Sequence, residues 1–196
     1  RLVKYATANS RKAIKWKNGD TSMDALKARF QNTVRTTETI EEYRKMSKAQ
    51  QADIKDIGGF VGGHLRNGRR KKGYVLCRSM LTLDMDYGEP DVWDTTISKI
   101  PYQSPCHSTH KHTPENPRLR LVIPLTREIS EPEYEPVARM FAKEVGIDMF
   151  DDSTYEANRL MYWPSTSVNG EYVFKEKDGD ALDPDAYLAK YDDWQD

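Results

Sequence analysis

The chain has 196 residues, of which 37% are hydrophobic and 31% are charged. Its length is suited to a single domain that buries a core of its own. The 30 lysines and arginines nearly balance the 31 aspartates and glutamates, so the net charge of −1 gives no argument for a nucleic-acid partner. No apolar run approaches the ~20 residues of a membrane span, and Cys77 and Cys106 are too few for a disulfide scaffold. We therefore expect a cytoplasmic protein that does not bind a membrane.

Residues 1–57 are predicted to form a mainly helical N-terminal part. Ser22 is a suitable N-cap for a first helix, and Thr39 and Ser47 are suitable N-caps for a second and a third. The third helix is expected to end before Gly58–Gly59, because glycine commonly terminates helices. In the first helix, the apolar residues at helical spacing are Met23, Leu26, Phe30 and Val34.

The segment 60–86 is predicted to form a β-hairpin with a basic turn. Asn67–Gly68 is a strong turn signal, and the return strand is expected to start near Tyr74 and to reach Asp86. Gly62–Gly63 predicts a bulge or a close backbone approach rather than a phosphate-binding loop, because no Gly-Lys-Ser follows it. The basic residues of the turn are either solvated or a footprint for a nucleic-acid backbone. They are Arg66, Arg69, Arg70, Lys71 and Lys72.

The end of this return strand carries two carboxylates. Side chains alternate from Met80 to Tyr87, so Asp84 and Asp86 share one face with Thr82, and the other face carries Leu81, Leu83, Met85 and Tyr87. Two like charges held close together repel each other unless a cation offsets them. Carboxylate oxygens of this kind suit Mg²⁺ or Mn²⁺. The residues alone leave a second interpretation open, in which both acids are solvated at a strand end.

Three of the four histidines lie within the short segment Cys106–His112. If this segment is extended, Ser108, His110 and His112 face the same way. A zinc site is a further interpretation, but a cysteine and three histidines so close in sequence rarely surround a metal tetrahedrally.

A strand is predicted to begin near Arg118, with alternating leucine and isoleucine residues facing the core. Arg118 and Arg120 lie on its other face, where their guanidinium groups either balance acidic neighbours or bind phosphate. A capped helix is expected from Ser130 to Gly146. The remaining predicted elements are an acidic loop over 148–156, a strand over 159–164, a hairpin turning at Asn169–Gly170, and a last helix starting at Pro184.

The order of these short motifs resembles the archaeo-eukaryotic primase superfamily. The matching residues are the acidic pair Asp84-x-Asp86, then Ser108-x-His110, then an acid shortly before Arg159-Leu160-Met161 and Pro164. The wider pattern is similar to the primase-polymerase domains of phages and integrated elements, which often precede a superfamily-3 helicase of the virulence-associated E type.

This resemblance implies an α/β fold in which a mixed sheet forms an RRM-like catalytic core over residues 58–165. Residues 166–196 would then add a hairpin and a C-terminal helix. The implied activity is that of a DNA primase and polymerase, a template-dependent nucleotidyltransferase that uses nucleoside triphosphates and two Mg²⁺ or Mn²⁺ ions. The implied partners are a single-stranded DNA template, a primer, and a helicase in the same or another chain, in the cytoplasm of a bacterial host.

The resemblance also implies roles for individual residues. The expected catalytic residues are Asp84, Asp86, His110 and Glu156. The third metal-binding acid is contested by Asp148, Asp151, Asp152 and Glu156; the resemblance favours Glu156, with Asp152 as its rival. The expected nucleotide-binding residues are Ser108, His110, Lys111, His112, Arg118, Arg120 and Arg159. The expected DNA-binding residues are Arg66, Arg69, Arg70, Lys71 and Lys72.

Two other functional classes stay open at this point. A non-catalytic RRM-like module that binds nucleic acid would use the same fold, but it usually carries stacking aromatic residues where this chain has Asp84 and Asp86. A replication-initiator nuclease would hold metal through His110-x-His112 and attack DNA with a tyrosine, which would leave the acidic pair unexplained.

Overall fold

Three β-sheets and six helices make up the fold, which is described for residues 1–196 by a computed structural model. The strands are β1 (Leu2–Ala8), β2 (Lys17–Ser22), β3 (Val34–Arg35), β4 (Gly59–Val61), β5 (Gly63–Leu65), β6 (Val75–Met85), β7 (Cys106–Ser108), β8 (Leu119–Ile129), β9 (Met161–Tyr162), β10 (Ser165–Thr166) and β11 (Phe174–Lys175). The helices are α1 (Met23–Phe30), α2 (Ile40–Lys45), α3 (Lys48–Lys55), α4 (Val92–Ile97), α5 (Glu131–Val145) and α6 (Pro184–Leu188). None of the helices combines the length and the apolar character that crossing a membrane requires.

The largest sheet has five strands in the order β11-β7-β8-β6-β5, and its central strands β6 and β8 are antiparallel. One face of this pair buries alternate residues such as Leu83 and Leu121 in a core of 23 residues, which α5 covers with Tyr134 and Phe141. The opposite face carries the polar residues. The sheet therefore places a hydrophobic core on one side and leaves the other side free to build a site.

A second sheet has four strands in the order β2-β1-β4-β9 and packs around its own core. Phe60 and Trp163 stack at its centre with ring centroids 4.9 Å apart. Met80 and Val122 of the larger sheet join this core, so the two sheets are held to one another. The third sheet is the parallel pair β3 and β10.

The mixed α/β fold class expected from the sequence is confirmed, and so are the helices that local signals predicted, except that the first ends at Phe30 and Val34 lies in β3. The Thr39 side chain accepts a hydrogen bond from the Glu42 amide, and the Glu42 side chain accepts one from the Thr39 amide, as the capping-box pattern predicted. The Ser22 and Ser47 caps also form. Asn67 has a φ of 54°, the left-handed conformation that its turn signal requires.

Three segments differ from the sequence-based prediction. The start of the chain is not helical, because Leu2–Ala8 and Lys17–Ser22 pair as an antiparallel hairpin. The segment after Ser108 does not stay extended but turns, with the His112 amide donating to the Thr109 carbonyl. The expected hairpin around Asn169–Gly170 does not form, because its two flanking segments pair with β3 and β7 instead. A turn signal fixes the local chain direction but not the strand with which each arm pairs.

Candidate active site

An open cleft of about 360 Å³ lies between the polar face of β6, β7 and β8 and the segment that carries β9 and β10. Helices α2 and α3 close one side of it. Its acidic lining residues are Asp84, Asp86 and Asp151, and its basic ones are Lys48, Lys55, Lys111, Arg118, Arg120 and Arg159. Three carboxylates thus lie beside six cations, an arrangement that suits a polyanionic ligand with a cation at one end.

A row of polar residues crosses the sheet at the floor of this cleft. His107 of β7 lies opposite Arg120 of β8, and Arg120 lies opposite Asp84 of β6. The Arg120 guanidinium donates from Nε to Asp84 Oδ1 at 2.8 Å and from Nη2 to Oδ2 at 3.3 Å, while Nη1 donates to the Tyr162 carbonyl at 2.8 Å. Burial alone would raise the pKa of Asp84, but the adjacent Arg120 charge outweighs it and holds that pKa below its usual range. Asp84 is therefore an ionised, buried carboxylate.

Asp86 has a different environment, although it is only two residues away. Its nearest cation is Arg118, whose Nη1 lies 3.7 Å from Oδ2. Burial, followed by the negative charges of Asp84 and Asp151, raises the pKa of Asp86 to about 6. A carboxylate whose neighbours repel its charge in this way is a favourable ligand for a cation.

The third acid of the cleft is Asp151, which sequence reasoning considered but did not choose. Its amide donates to the Asp84 carbonyl at 2.9 Å, and its carboxylate accepts a hydrogen bond from the Ser153 hydroxyl. Glu156 and Asp152 are exposed and do not line the cleft. Of the four acids considered from the sequence, Asp151 is therefore the one that lines the cleft, and it lies just before the 3₁₀ turn at 152–155. The role of Glu156 as the third acid stays a prediction of the resemblance.

A divalent cation requires several oxygen ligands that converge on one point. No group of three or more histidine, cysteine, aspartate or glutamate side chains is gathered as a preformed metal site. Both oxygens of Asp84 accept from Arg120, so the oxygens offered to a cation are those of Asp86 and Asp151 and the remaining lone pairs of Asp84. The donor chemistry fits a hard ion such as Mg²⁺ or Mn²⁺.

The histidine segment divides into separate environments. His110 lines the cleft, and both of its ring nitrogens are hydrogen-bonded. His112 points elsewhere, with Nε2 3.0 Å from Glu171 and Nδ1 accepting from the Arg118 amide. The Ser108 hydroxyl accepts from the Val173 amide and so holds β11 in place. The expected common face of these three residues is therefore not formed, because the chain turns after Ser108.

His107 is a lining residue that sequence reasoning did not select. Its Nδ1 lies 2.9 Å from the Ser108 carbonyl, and its Nε2 is buried with no hydrogen-bond partner. Burial and then the Arg120 charge lower the pKa of His107 to about 3, so the ring is neutral. The available signal was the strand register, which places His107 opposite Arg120 and so on the polar face of the sheet.

Several cations of the cleft have no carboxylate partner. Lys55, at the end of α3, forms no ion pair; burial and then the charges of Arg120 and Arg159 lower its pKa. Its ammonium lies 5.1 Å from the Tyr162 ring centroid. The Nε of Arg159 is buried and has no hydrogen-bond partner. Both residues are partly buried, and unpaired cations in such positions are costly unless an anion binds them.

The basic turn between β5 and β6 lies partly beside the cleft. Arg70 packs over Trp16 at 5.4 Å and donates to the Asn158 carbonyl at 3.2 Å, next to Arg159. Arg66 and Lys71 both lie over the Tyr74 ring, and Arg69 and Lys72 are exposed. Arg70 therefore brings one cation of the turn next to Arg159 of the cleft. The binding of a nucleic-acid backbone by this turn stays a prediction.

Comparison with known proteins identifies the family and the fold of the chain. The family model "VapE N-terminal domain" matches residues 1–196, which is the whole chain. Among solved structures, the chain is similar to the AEP domain of the primase-polymerase (PrimPol) of cyanophage S-2L, with a TM-score of 0.52 and 15% sequence identity. That match covers 96% of this chain and 88% of the phage domain. No curated protein matches the chain.

Proposed function

The chain belongs to the VapE N-terminal domain family and has the fold of a primase-polymerase domain, and from this we propose that it is a template-directed nucleotidyltransferase. It adds nucleotides to a 3′-hydroxyl on single-stranded DNA during replication of a phage or mobile element. The observation that carries the proposal is the cleft in which Asp84, Asp86 and Asp151 lie beside unpaired cations. Nucleotide addition requires both groups, because the triphosphate is a polyanion and the attacking oxygen needs a cation.

The residues of the cleft divide this work between them. Asp86 and Asp151, with Asp84, would hold a divalent cation, which when bound offsets charge on the reacting phosphate. Lys55 and Arg159 neutralise the triphosphate and the leaving pyrophosphate. Arg120 keeps Asp84 ionised and fixed in position, and the remaining lone pairs of Asp84 would be available to a cation.

The template strand is assigned to the basic turn. Arg69 and Lys72 are free to contact phosphates, and Arg70 links this surface to the cleft beside Arg159. A helicase in the same or another chain would supply the single strand, in keeping with the family to which this domain belongs.

The initiator-nuclease alternative has no comparable support. A shared metal would require His110 and His112 to converge, and each has its ring nitrogens engaged with different groups. The zinc alternative also lacks support, because Cys106 is buried in the hydrophobic core on the opposite face of β7.

The test is incubation of the protein with a single-stranded template and labelled nucleotides, with and without a primer, in Mg²⁺ or Mn²⁺. We expect the wild type to extend the primer and Asp86→Asn to be inactive. Asp91→Asn is the matched control, because Asp91 is an exposed acid outside the cleft that makes no hydrogen bond from its side chain. Absence of extension by the wild type under all these conditions would refute the proposal.

A further inference from the structure

A carboxylate, an imidazole and a hydroxyl form a chain of hydrogen bonds at the wall of the cleft. Glu38 Oε2 lies 2.8 Å from His110 Nε2, and His110 Nδ1 lies 2.8 Å from Ser165 Oγ. All three residues are buried. Sequence motifs pointed only to His110, since 72 residues separate it from Glu38 and 55 from Ser165.

The small parallel sheet of β3 and β10 holds this chain of hydrogen bonds together. Val34 pairs with Ser165 and Arg35 with Thr166, which brings the residues after each strand side by side. Ser167 donates to Glu38 at 2.7 Å, and the Glu38 carbonyl accepts from the Val168 amide at 2.9 Å. The His110 ring also packs on Tyr43, with ring centroids 4.3 Å apart. The imidazole is thus fixed in one orientation.

That orientation gives the chain of hydrogen bonds a direction. His110 and Ser165 line the cleft, whereas Glu38 and Ser167 do not. The Nε2 edge of the ring therefore faces the interior and the Nδ1 edge faces the cleft, where Ser165 Oγ covers it. The group of this chain that meets a ligand is then the serine hydroxyl rather than the histidine ring.

The protonation state of the ring decides what the hydroxyl can offer. With a neutral ring, Nε2–H donates to Glu38 and Ser165 must donate to Nδ1, so only oxygen lone pairs face the cleft. With an imidazolium, Nδ1–H donates to Ser165 Oγ, and the hydroxyl hydrogen is released toward the cleft. Only the second arrangement suits an anion, and Glu38 is the group that stabilises it.

We propose that Glu38, His110 and Ser165 form a relay in which the ring takes up a proton when a phosphate group enters the cleft, so that Ser165 donates to that phosphate. Ser165 is the contact residue, and His110 and Glu38 are positioning residues. The inference rests on the proposed function only in taking a phosphate-bearing ligand as the occupant. The proton comes from solvent, and no covalent bond other than N–H changes.

The groups that surround the ring are consistent with this coupling. Tyr43 of α2 packs on the ring, Glu38 hydrogen-bonds to Nε2, and Lys55 at the end of α3 is the cation that acts on the ring; Lys111 and Arg118 line the same cleft. Within the protein alone, burial, opposed by Glu38, lowers the pKa of His110, and Lys55 lowers it further. A phosphate that neutralises Lys55 removes repulsion from the imidazolium.

The test is a titration of the full chain with inorganic triphosphate in the absence of divalent metal. The nitrogen shifts of the His110 ring, assigned by comparison with His110→Gln, distinguish the neutral ring from the imidazolium. We expect the ring to be neutral at pH 7.5 without ligand and to become an imidazolium as triphosphate binds. A ring that stays neutral at saturating triphosphate overturns the proposal.

Variants give a second, independent readout. Ser165→Ala should weaken triphosphate binding by about tenfold, the loss of one hydrogen bond to a charged group. Ser104→Ala is the matched control, because Ser104 is an equally buried serine that bonds the Tyr102 carbonyl outside the cleft. Glu38→Gln keeps the size of the side chain and should leave the ring neutral when triphosphate is bound. Wild-type affinity in Ser165→Ala would contradict the relay.

These outcomes separate the relay from the proposed enzymatic activity. Triphosphate binding and the ring signal need no turnover, so a wild type that shows both but never extends a primer retains the relay and loses the nucleotidyltransferase. A wild type that extends primers while its His110 ring stays neutral retains the nucleotidyltransferase and loses the relay.

Discussion

Asp84 and Asp86 point to the same side of β6, yet their electrostatic environments are opposite. The carboxylate of Asp84 is paired with Arg120, and that of Asp86 is repelled by its acidic neighbours. The sequence alone left open that both acids are solvated at a strand end. For Asp84 the structure corrects this, because its side chain is buried and balances a buried guanidinium.

We therefore expect Asp84→Ala to lower the free energy of unfolding by about 3 kcal/mol, since it leaves the Arg120 charge buried without a partner. Asp86→Ala should change it little. Urea unfolding of the two variants measures the difference. A double variant with Arg120→Met should recover part of the loss; equal stabilities for the two single variants would show that the pair is not buried in solution.

His107 predicts a pH dependence of stability at the same scale. Its pKa is about 3 in the folded chain and about 6.5 when unfolded, so as the pH falls the unfolded chain takes up the proton first. Stability from this residue is present at pH 7 and is lost progressively between pH 6.5 and 3, by about 2 kcal/mol at pH 5. Denaturant unfolding at pH 7 and pH 5 should show a smaller difference for His107→Gln than for the wild type. The same difference in both proteins would mean that His107 is solvated.

At the scale of elements, Lys55 lies at the end of α3, where it lines the cleft and forms no ion pair. We expect Lys55→Met to weaken nucleotide binding by about tenfold and to leave the free energy of unfolding unchanged or higher, because a partly buried, unpaired charge is removed. Lys45→Met is the control, since Lys45 is an exposed lysine of α2 outside the cleft. Nucleotide affinity and urea unfolding are measured together. A loss of stability without a loss of affinity would make Lys55 a structural residue.

The glycines before β6 act through the backbone, as the sequence predicted. A Cβ on Gly63 would lie 1.8 Å from the Cys77 carbonyl oxygen, and the ladder between β5 and β6 shifts register next to it. Gly63→Ala should therefore lower the free energy of unfolding by on the order of 2 kcal/mol or more. Gly73→Ala is the comparison within the same hairpin, because its Cβ would meet no atom within 4 Å, although its positive φ adds some strain. Equal stabilities would rule out the close approach.

At the scale of the whole molecule, local signals were readable and distant pairings were not. The capping box at Thr39 and the alternation along β6 depend on neighbours in sequence, so both were predictable. The pairing of β3 with β10 joins segments about 130 residues apart, and no pattern in either segment predicts that it pairs with the other. The contact between Glu38 and His110 therefore had no sequence signal. The choice of Glu156 as the third acid stays a prediction, and the structure adds that Asp151, just before a 3₁₀ turn, is the candidate that lines the cleft.

The exposed cations of the basic turn lead to a prediction about how the DNA affinity of the whole molecule depends on salt. Replacing Arg69 and Lys72 with glutamine removes two exposed cations, so the slope of log affinity against log salt should become shallower by about 0.7 for each phosphate that is no longer neutralised. Affinity for single-stranded DNA at several salt concentrations gives this slope. Lys143→Gln, an exposed change on the helix that covers the far side of the sheet, should leave it unchanged. An unaltered slope in the double variant would place the DNA elsewhere.

The central claim is that nucleotide addition takes place in the cleft that Asp84, Asp86 and Asp151 line. Its most direct test is the single-turnover rate of primer extension by Asp151→Asn beside Glu156→Gln, with a melting curve for each variant. We expect Asp151→Asn to lose at least about a hundredfold in rate at unchanged DNA affinity, because it removes an oxygen offered to the cation. Glu156→Gln should retain the wild-type rate, since Glu156 is exposed outside the cleft. A stable, fully active Asp151→Asn, or a stable, inactive Glu156→Gln, would contradict the account.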